Sequence, residues 1–463
     1  MNSSFAQLII FLLAGIISII LLTVKFRVHP FFALIIACFV TGLGVQLPFT
    51  EILSLIKNGF GDVMSKLAIV IVLGTTIGVL LEKNGSTQVM AASILKLVGQ
   101  KNSSLALSFT GFIVGLPIFC DSGYIVLNGI NRSLIKRTGI AAATMSISLA
   151  SGLYAVHCLI PPHPGATAAA GTLAVDLGKL ILYGIVIAIP AMLIGHWWAV
   201  YAGKKNLPAG QADKTHPEGS DEHDEEILAG PKIVPAFLPV IVPILLMALR
   251  SVLVFEKNKT GLFPDVLAIA GDPAVALAIG VLIAIAIGKN SPKVTRDSLV
   301  KSLSTKHSLS FQLSSAVERA GGILVIIGAG GAFGAVLGAT NIGQHFSEKL
   351  DLRMLGIFFP FLLTSLIKTA QGSSTVAIIT ASSIVLPLLP ILGLESENGK
   401  LLAVLAMGAG SMMISHSNDA YFWVISKFSD IDTRTMLRVH SIASILMGLV
   451  TMIVIFLLSI IIL

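Results

Sequence analysis

The chain reads as a series of apolar runs separated by short polar breaks. The first run, 8–24, closes on Lys25 and Arg27, and a second, 31–47, follows His29-Pro30. A weakly amphipathic piece, 49–66, leads into the apolar run 67–81, which Glu82, Lys83 and Asn84 end. The stretch 88–98 is too short to cross a bilayer alone, since one helix needs about 20 residues, and is expected at the interface or partway in. The run 105–118 is also short and ends in the polar break Cys120-Asp121-Ser122-Gly123. Residues 140–160 have spanning length and are rich in Ala, Ser and Gly, which let membrane helices pack closely. They run into Pro161-Pro162-His163-Pro164-Gly165, where a regular helix cannot continue. Residues 180–200 form a further span.

After the one sustained hydrophilic segment, 203–230, the pattern resumes with 233–249, 264–287, a glycine-rich run 321–337, and 355–367. A break at Lys368 to Thr375 precedes 376–392, a second at Ser415 to Asp419 follows 401–415, and 442–463 closes the chain. The expectation is an all-α polytopic membrane protein with roughly 10 to 14 crossings or hairpin arms. Residues 1–202 are expected as an N-terminal transmembrane repeat, 203–231 as a hydrophilic central loop, and 232–463 as a C-terminal transmembrane repeat.

The repeat rests on weak self-similarity. Ile77-Gly78-Val79-Leu80-Leu81 resembles Phe333-Gly334-Ala335-Val336-Leu337. The breaks at Asp121 and His163 lie 42 residues apart, and those at Gly372 and His416 lie 44 apart. Transporters are often built from inverted repeats whose interrupted helices or re-entrant hairpins meet near the midplane. Half-helix ends there turn backbone dipoles toward a bound solute or ion.

Composition supports the membrane reading. Hydrophobic residues make up 55% and charged residues 12%, about half the charge of a soluble domain. The net charge of +7 falls mainly in short breaks between runs, as the positive-inside rule explains. Arg132, Lys136 and Arg137, and the basic segment 289–307, are therefore placed on the cytoplasmic side. No basic helix, zinc finger or RNP pattern points to nucleic acid. Cys38, Cys120 and Cys158 form no CxxC, so neither a disulfide nor a thiolate metal site is expected. Met1 to Gln7 lacks a basic n-region, and the first run is read as a retained helix. His216 and His223 lie in the central segment, which is read as a solvated loop rather than a metal site.

Four clusters carry candidate chemistry. In the first, Asp121 and Ser122 lie between Pro117 and Gly123; a carboxylate in an apolar run is costly unless paired, protonated or hydrated. In the second, His163 and Gly165 follow a helix that must break, and His157 lies just before it as either a packed residue or a ligand. The third, Lys368-Thr369-Ala370-Gln371-Gly372-Ser373-Ser374-Thr375, supplies a flexible backbone, hydroxyls and one amide. Lys368 either counters an anionic solute or snorkels to the interface. In the fourth, His416, Asn418 and Asp419 precede Tyr421 and Trp423, which either stack on a solute or form an interfacial belt. Glu82 is a weaker candidate at a helix end. Gly328, Gly330, Gly331 and Gly334 lack the acidic residue and βαβ context of a dinucleotide fingerprint, and tight helix packing explains them.

These clusters resemble the gluconate permease family of bacterial inner-membrane symporters. The resemblance rests on Gly115-Leu116-Pro117-Ile118-Phe119-Cys120-Asp121-Ser122-Gly123-Tyr124, on Pro161 to Gly165 followed by Ala166, on Ala370 to Ala377, and on His416-Ser417-Asn418-Asp419-Ala420-Tyr421-Phe422-Trp423. It implies proton-coupled uptake of small hydroxylated carboxylates into the cytoplasm, by a multi-pass inner-membrane protein without a metal or other cofactor. Three departures bear on the substrate: Ser122 replaces an apolar residue, Asn128-Gly129 stands where gluconate-type members are more apolar and carry proline, and Lys368 replaces an arginine.

The resulting expectation is a secondary active transporter that is not an enzyme. Its partners are a small anionic or zwitterionic solute, a proton and the bilayer, and homo-oligomer formation is left open. Substrate contacts are expected from Asp121, Ser122, His163, Gly165, Lys368, Gln371, Ser373, Ser374, Thr375, His416, Asn418 and Asp419, and proton coupling from Asp121, His163 and Asp419. D-serine or glycerate transport, a sodium-coupled carrier, a channel, and a membrane enzyme using His157 and His163 remain the alternatives.

Overall fold

Inside a bilayer the backbone must satisfy its own hydrogen bonds, and the apolar runs of this chain do so as helices. A computed structural model describes residues 5–98, 102–206, 231–255, 262–290, 308–340 and 355–463. The first half contains α1 (Phe5–Val24), α2 (Pro30–Gly44), α3 (Phe49–Lys83), α4 (Ser86–Val98), α5 (Ser103–Gly115), α6 (Cys120–Thr138), α7 (Ala142–Leu159), α8 (Pro164–Leu173) and α9 (Leu177–Asn206). The second contains α10 (Ile233–Phe255), α11 (Leu262–Ala270), α12 (Pro273–Asn290), α13 (Leu309–Ala339), α14 (Phe358–Gln371), α15 (Ser374–Val385), α16 (Glu397–Met412), α17 (Ala420–Phe428) and α18 (Ile442–Ile462). Among the described residues, seven segments are long and apolar enough to cross a membrane, including Phe49–Lys83, Leu177–Gly203, Leu309–Ala339 and Thr433–Ile462.

Local chemistry sets the ends. Ser308, Ser373 and Ser396 cap α13, α15 and α16 by accepting from an amide in the first turn. Gly139, at φ +65°, ends α6 just after Lys136 and Arg137, whose charges complement the carbonyl end of the helix. Residues 49–66 and 67–81, distinct in hydropathy, form one 35-residue helix because nothing between them breaks it. Asp62 and Lys66 pair across one turn at its polar end, 3.7 Å apart. Likewise α9 continues to Asn206, a few residues into the expected central loop. The rest of that loop, 207–230 with His216 and His223, and the basic segment 291–307 lie outside the described residues.

The order of elements recurs. A long helix (α3, α13) is followed by a broken pair (α5/α6, α14/α15), a second broken pair (α7/α8, α16/α17) and a closing span (α9, α18). The two long helices pack on each other through small residues. A methyl group placed on Gly59 would stand 2.5 Å from the Gly331 carbonyl oxygen, and one on Gly328 would meet the Phe60 ring at 2.4 Å. Broken helices lie against this pair. Gly74 of α3 receives Pro162, Gly78 receives the Pro117 carbonyl, and Gly330 of α13 receives Ile379 of α15. The glycines of α13 thus serve helix packing. Facing outward, Leu449, Ile453, Leu457, Ile460 and Ile461 of α18 and Val234, Ile241, Leu245 and Leu249 of α10 expose an apolar surface suited to lipid.

Candidate functional site

The four interruptions come together at the centre of the molecule. Between α5 and α6, Pro117 lacks an amide hydrogen and the chain restarts at Cys120, with Asp121 and Ser122 half-buried in the first turn of α6. Among the described residues the only hydrogen bond to the Asp121 carboxylate is a long contact from the Cys120 thiol, 3.8 Å. Between α7 and α8, the His163 Nε2–H donates to the Gly115 carbonyl at 2.8 Å, which ties the second break to the first. The His157 and His163 rings lie 5.0 Å apart, with Phe119 against both.

The third break turns on Gly372. Its φ of +88° closes α14 in the left-handed region, and a Cβ there would lie 2.2 Å from the Asn418 carbonyl oxygen. Ser373 then accepts from the Val376 amide at 3.3 Å and starts α15. Lys368, on the last turn of α14, is fully buried. Its Nζ donates to the Gly372 carbonyl and, at 2.6 Å, to Asp419 Oδ2. Asp419 is held twice more, by the Ser415 hydroxyl and by the Tyr421 amide at 3.0 Å, so it caps α17 while neutralising Lys368. His440 lies 3.1 Å from the Ser415 Oγ; because that hydroxyl donates to Asp419, the His440 Nε2–H is the donor to it. Ser441 donates to the Ser415 carbonyl. His440 and Ser441 belong to a π-helical turn, Leu437–Ser441, that precedes α18.

Contacts between the halves close the site. Thr375 at the start of α15 reaches His157 Nε2 of α7 at 3.4 Å. Gly165 at the start of α8 lies so close to α15 that a methyl group on it would be 3.3 Å from the Thr375 Cα. Tyr421 of α17 stacks on Tyr154 of α7, ring centroids 5.6 Å apart, and stands edge-on to Tyr124 of α6 at 6.2 Å. His416 and Asn418 bind the Thr369 carbonyl, at 3.0 and 2.8 Å. Both polar ends of the Gln371 side chain and His157 Nδ1 are buried without a partner. The α8 start carries no side-chain cap, so the amides of Gly165 and Ala166 find no acceptor in their own helix.

The residues expected to contact substrate or couple the proton fall in or beside the converging breaks, though not in equal roles, and Asn418 is exposed. Lys368 does not snorkel, because its ammonium group is paired inside the protein. Tyr421 is an internal stacking residue and not part of a belt, whereas Trp423 is 37% exposed and donates to the Ser417 carbonyl. Glu82 pairs with Arg319 at 3.2 Å, away from this centre. Ser415, His440, Ser441, Tyr124 and Tyr154 were not expected. Ser415 stood inside a recognised cluster, but His440 lay just outside the apolar run 442–463, and only its position before a long span could have signalled it.

Interrupted membrane helices meeting around buried, partnerless polar groups define a multi-pass membrane transport protein. The chain belongs to the GntP permease family, whose model matches residues 7–461. It is 33% identical over 447 residues to an uncharacterized permease of Haemophilus influenzae, covering 94% of this chain and 88% of that one. It is 30% identical over 463 residues to a gluconate permease of Pseudomonas aeruginosa, covering 98% of each. Among solved structures it is similar to Neisseria gonorrhoeae MtrF, with a TM-score of 0.57 at 15% identity, over 88% of this chain and 84% of that one. At that identity the likeness concerns the fold.

Proposed function

We propose that this inner-membrane protein is a proton-coupled symporter that carries gluconate or a related small hydroxylated carboxylate into the cytoplasm. The observation that carries the reading is the meeting of the α8 and α15 starts beside the partnerless Gln371 side chain. Helix starts present unpaired amide hydrogens and the positive end of the helix dipole, which suit an anion. The solute carboxylate sits against the amides of Gly165, Ala166, Ser374 and Thr375, and Gln371, Ser374 and Thr375 serve its hydroxyls. Lys368, its charge matched by Asp419, holds the α14 end and Asp419 together through its hydrogen bonds.

Asp121 is the first candidate for the coupled proton. It lies in the same centre as Asp419 but has no cation paired with it among the described residues, so protonation there breaks no ion pair. His163 and Asp419 are the secondary candidates. The recurrence of long helix, two broken pairs and closing span supports two inverted repeats, one moving against the other to alternate access.

Purified protein in proteoliposomes tests this directly. Labelled gluconate is expected to accumulate when the lumen is made alkaline, and to do so with sodium replaced. Accumulation that ignores the pH gradient refutes proton coupling, and dependence on sodium replaces it with a sodium-coupled carrier. Competition by glycerate, D-serine and sugar acids ranks the substrates.

A further inference from the structure

The departure Asn128-Gly129 has no part in the central site, yet it lines an open depression of about 580 Å³ between α6 and the end of α17, together with Ile125, Arg132, Lys427 and Phe428. That size falls in the usual range for small-molecule sites, about 300–1,000 Å³. Asp121, Tyr124, Asn128 and Arg132 recur at helical spacing along α6. Seven residues separate Asp121 from Asn128, so the depression begins about 10 Å along the helix from the first break.

The hydrogen bonds here leave a defined set of free groups. The Asn128 Nδ2 donates to the Phe428 carbonyl at 2.9 Å, which fixes the amide orientation. Its Oδ1 is buried without a partner and can only accept. Arg132 donates to the same carbonyl through Nε and Nη2, at 3.0 and 2.7 Å, and pairs with Asp430 at 3.0 Å. Asp430 offsets part of the arginine charge. Lys427 is exposed and forms no ion pair among the described residues, so the lining keeps a net positive charge. Gly129 leaves that part of the lining free of a side chain.

We propose that this mouth is a second station for the transported hydroxy acid. Lys427 and Arg132 hold its carboxylate, and the Asn128 carbonyl accepts a hydrogen bond from one of its hydroxyls. The inference rests on the transport reading above for the identity of the ligand. By the positive-inside rule the neighbouring Lys136 and Arg137 put the mouth on the cytoplasmic side, where the solute leaves. Substitutions at 128 then sort hydroxylated from plain acids without touching the central breaks.

Thiol labelling of the Ile125→Cys protein in detergent micelles tests it, read against the unsubstituted protein, whose own three cysteines are buried. With each rate divided by that reagent's rate toward a free small thiol, an anionic methanethiosulfonate is expected to react at least about threefold faster than a cationic one, and Lys427→Gln should remove that preference. Gluconate should slow labelling more than hexanoate, a six-carbon acid without the hydroxyls, and Asn128→Leu should abolish the difference between them. Equal or faster labelling by the cationic reagent overturns the station, as does equal protection by the two acids. Uptake into proteoliposomes is measured in parallel. A protein that shows the charge preference and the selective protection but takes up no hydroxy acid keeps the mouth as a binding site and refutes the transport reading instead.

Discussion

Removing Lys368 should be far more damaging than removing the whole pair it forms with Asp419. At 2.6 Å, and with an effective dielectric constant of about 20, the attraction is roughly 6 kcal/mol. Taking both ions out of water costs several kcal/mol each, so the pair contributes little net stability. Breaking it differs, because one charge stays buried alone, which typically costs about 3–5 kcal/mol. In Lys368→Met the Asp419 carboxylate keeps the Ser415 hydroxyl and the Tyr421 amide, which favours the lower end, about 3 kcal/mol. The Gly372 carbonyl loses its donor as well, adding about 1 kcal/mol. Asp419→Asn alone leaves a buried ammonium and should also cost about 3–5 kcal/mol. The double variant keeps the α17 cap through the asparagine oxygen and should lose only about 1–2 kcal/mol, a coupling of several kcal/mol between the sites. Equilibrium unfolding of the purified protein in mixed detergent and dodecyl sulfate micelles measures all three. Two single losses under about 1 kcal/mol that simply add in the double variant would refute the argument, since distant or screened groups behave that way. Uptake separates the roles further. A double variant that is stable but inactive assigns the pair a part in transport itself, and one that recovers transport assigns it to holding the breaks.

Gly372→Ala should cost more than about 2 kcal/mol, because strain at φ +88° adds to a collision with the Asn418 carbonyl; Gly393→Ala, at φ +69° in open space, should cost only about 1 kcal/mol in the same unfolding assay. Gly165→Ala puts a methyl group 3.0 Å from the end of the Ile378 side chain and 3.3 Å from the Thr375 Cα, so gluconate uptake should fall about tenfold and partly return when Ile378→Val is added. Ser373→Ala removes the α15 cap and should lower stability by about 1 kcal/mol. The Asp432 carboxyl, outside the spans, is held below the usual 3.8 chiefly by the Thr435 hydroxyl and amide. A depressed folded value stabilises above the unfolded value and is lost as pH falls below it. Asp432→Asn should therefore flatten the unfolding free energy against pH below about 4 and leave its slope near neutrality unchanged.

Much of the fold was legible because a bilayer leaves few choices: an apolar run must be a helix, and a proline or glycine cluster inside it must be a break. The four breaks were visible for that reason. What joined them was not. Nothing in the local pattern around Lys368 says whether its ammonium group reaches water or Asp419, since the choice depends on α17 arriving from a point 51 residues further along. His440 was invisible because a histidine beside a long apolar run looks like a boundary residue. Only the π-helical turn, a feature of three-dimensional packing, swings it onto Ser415. Residues 49–81 erred in the other direction, where a change in hydropathy marked a change of surroundings along one helix and not a change of element.

The seam of small residues between α3 and α13 also limits how the molecule can deform. Lipid tails are as apolar as the helices, so little besides short-range attraction between touching backbones keeps the two together. Such attraction fades within about an ångström of separation. Prying them apart forfeits the whole contact. The crossing of Gly59 with Gly331 thus admits no added methyl group unless the two long helices are forced apart along their length.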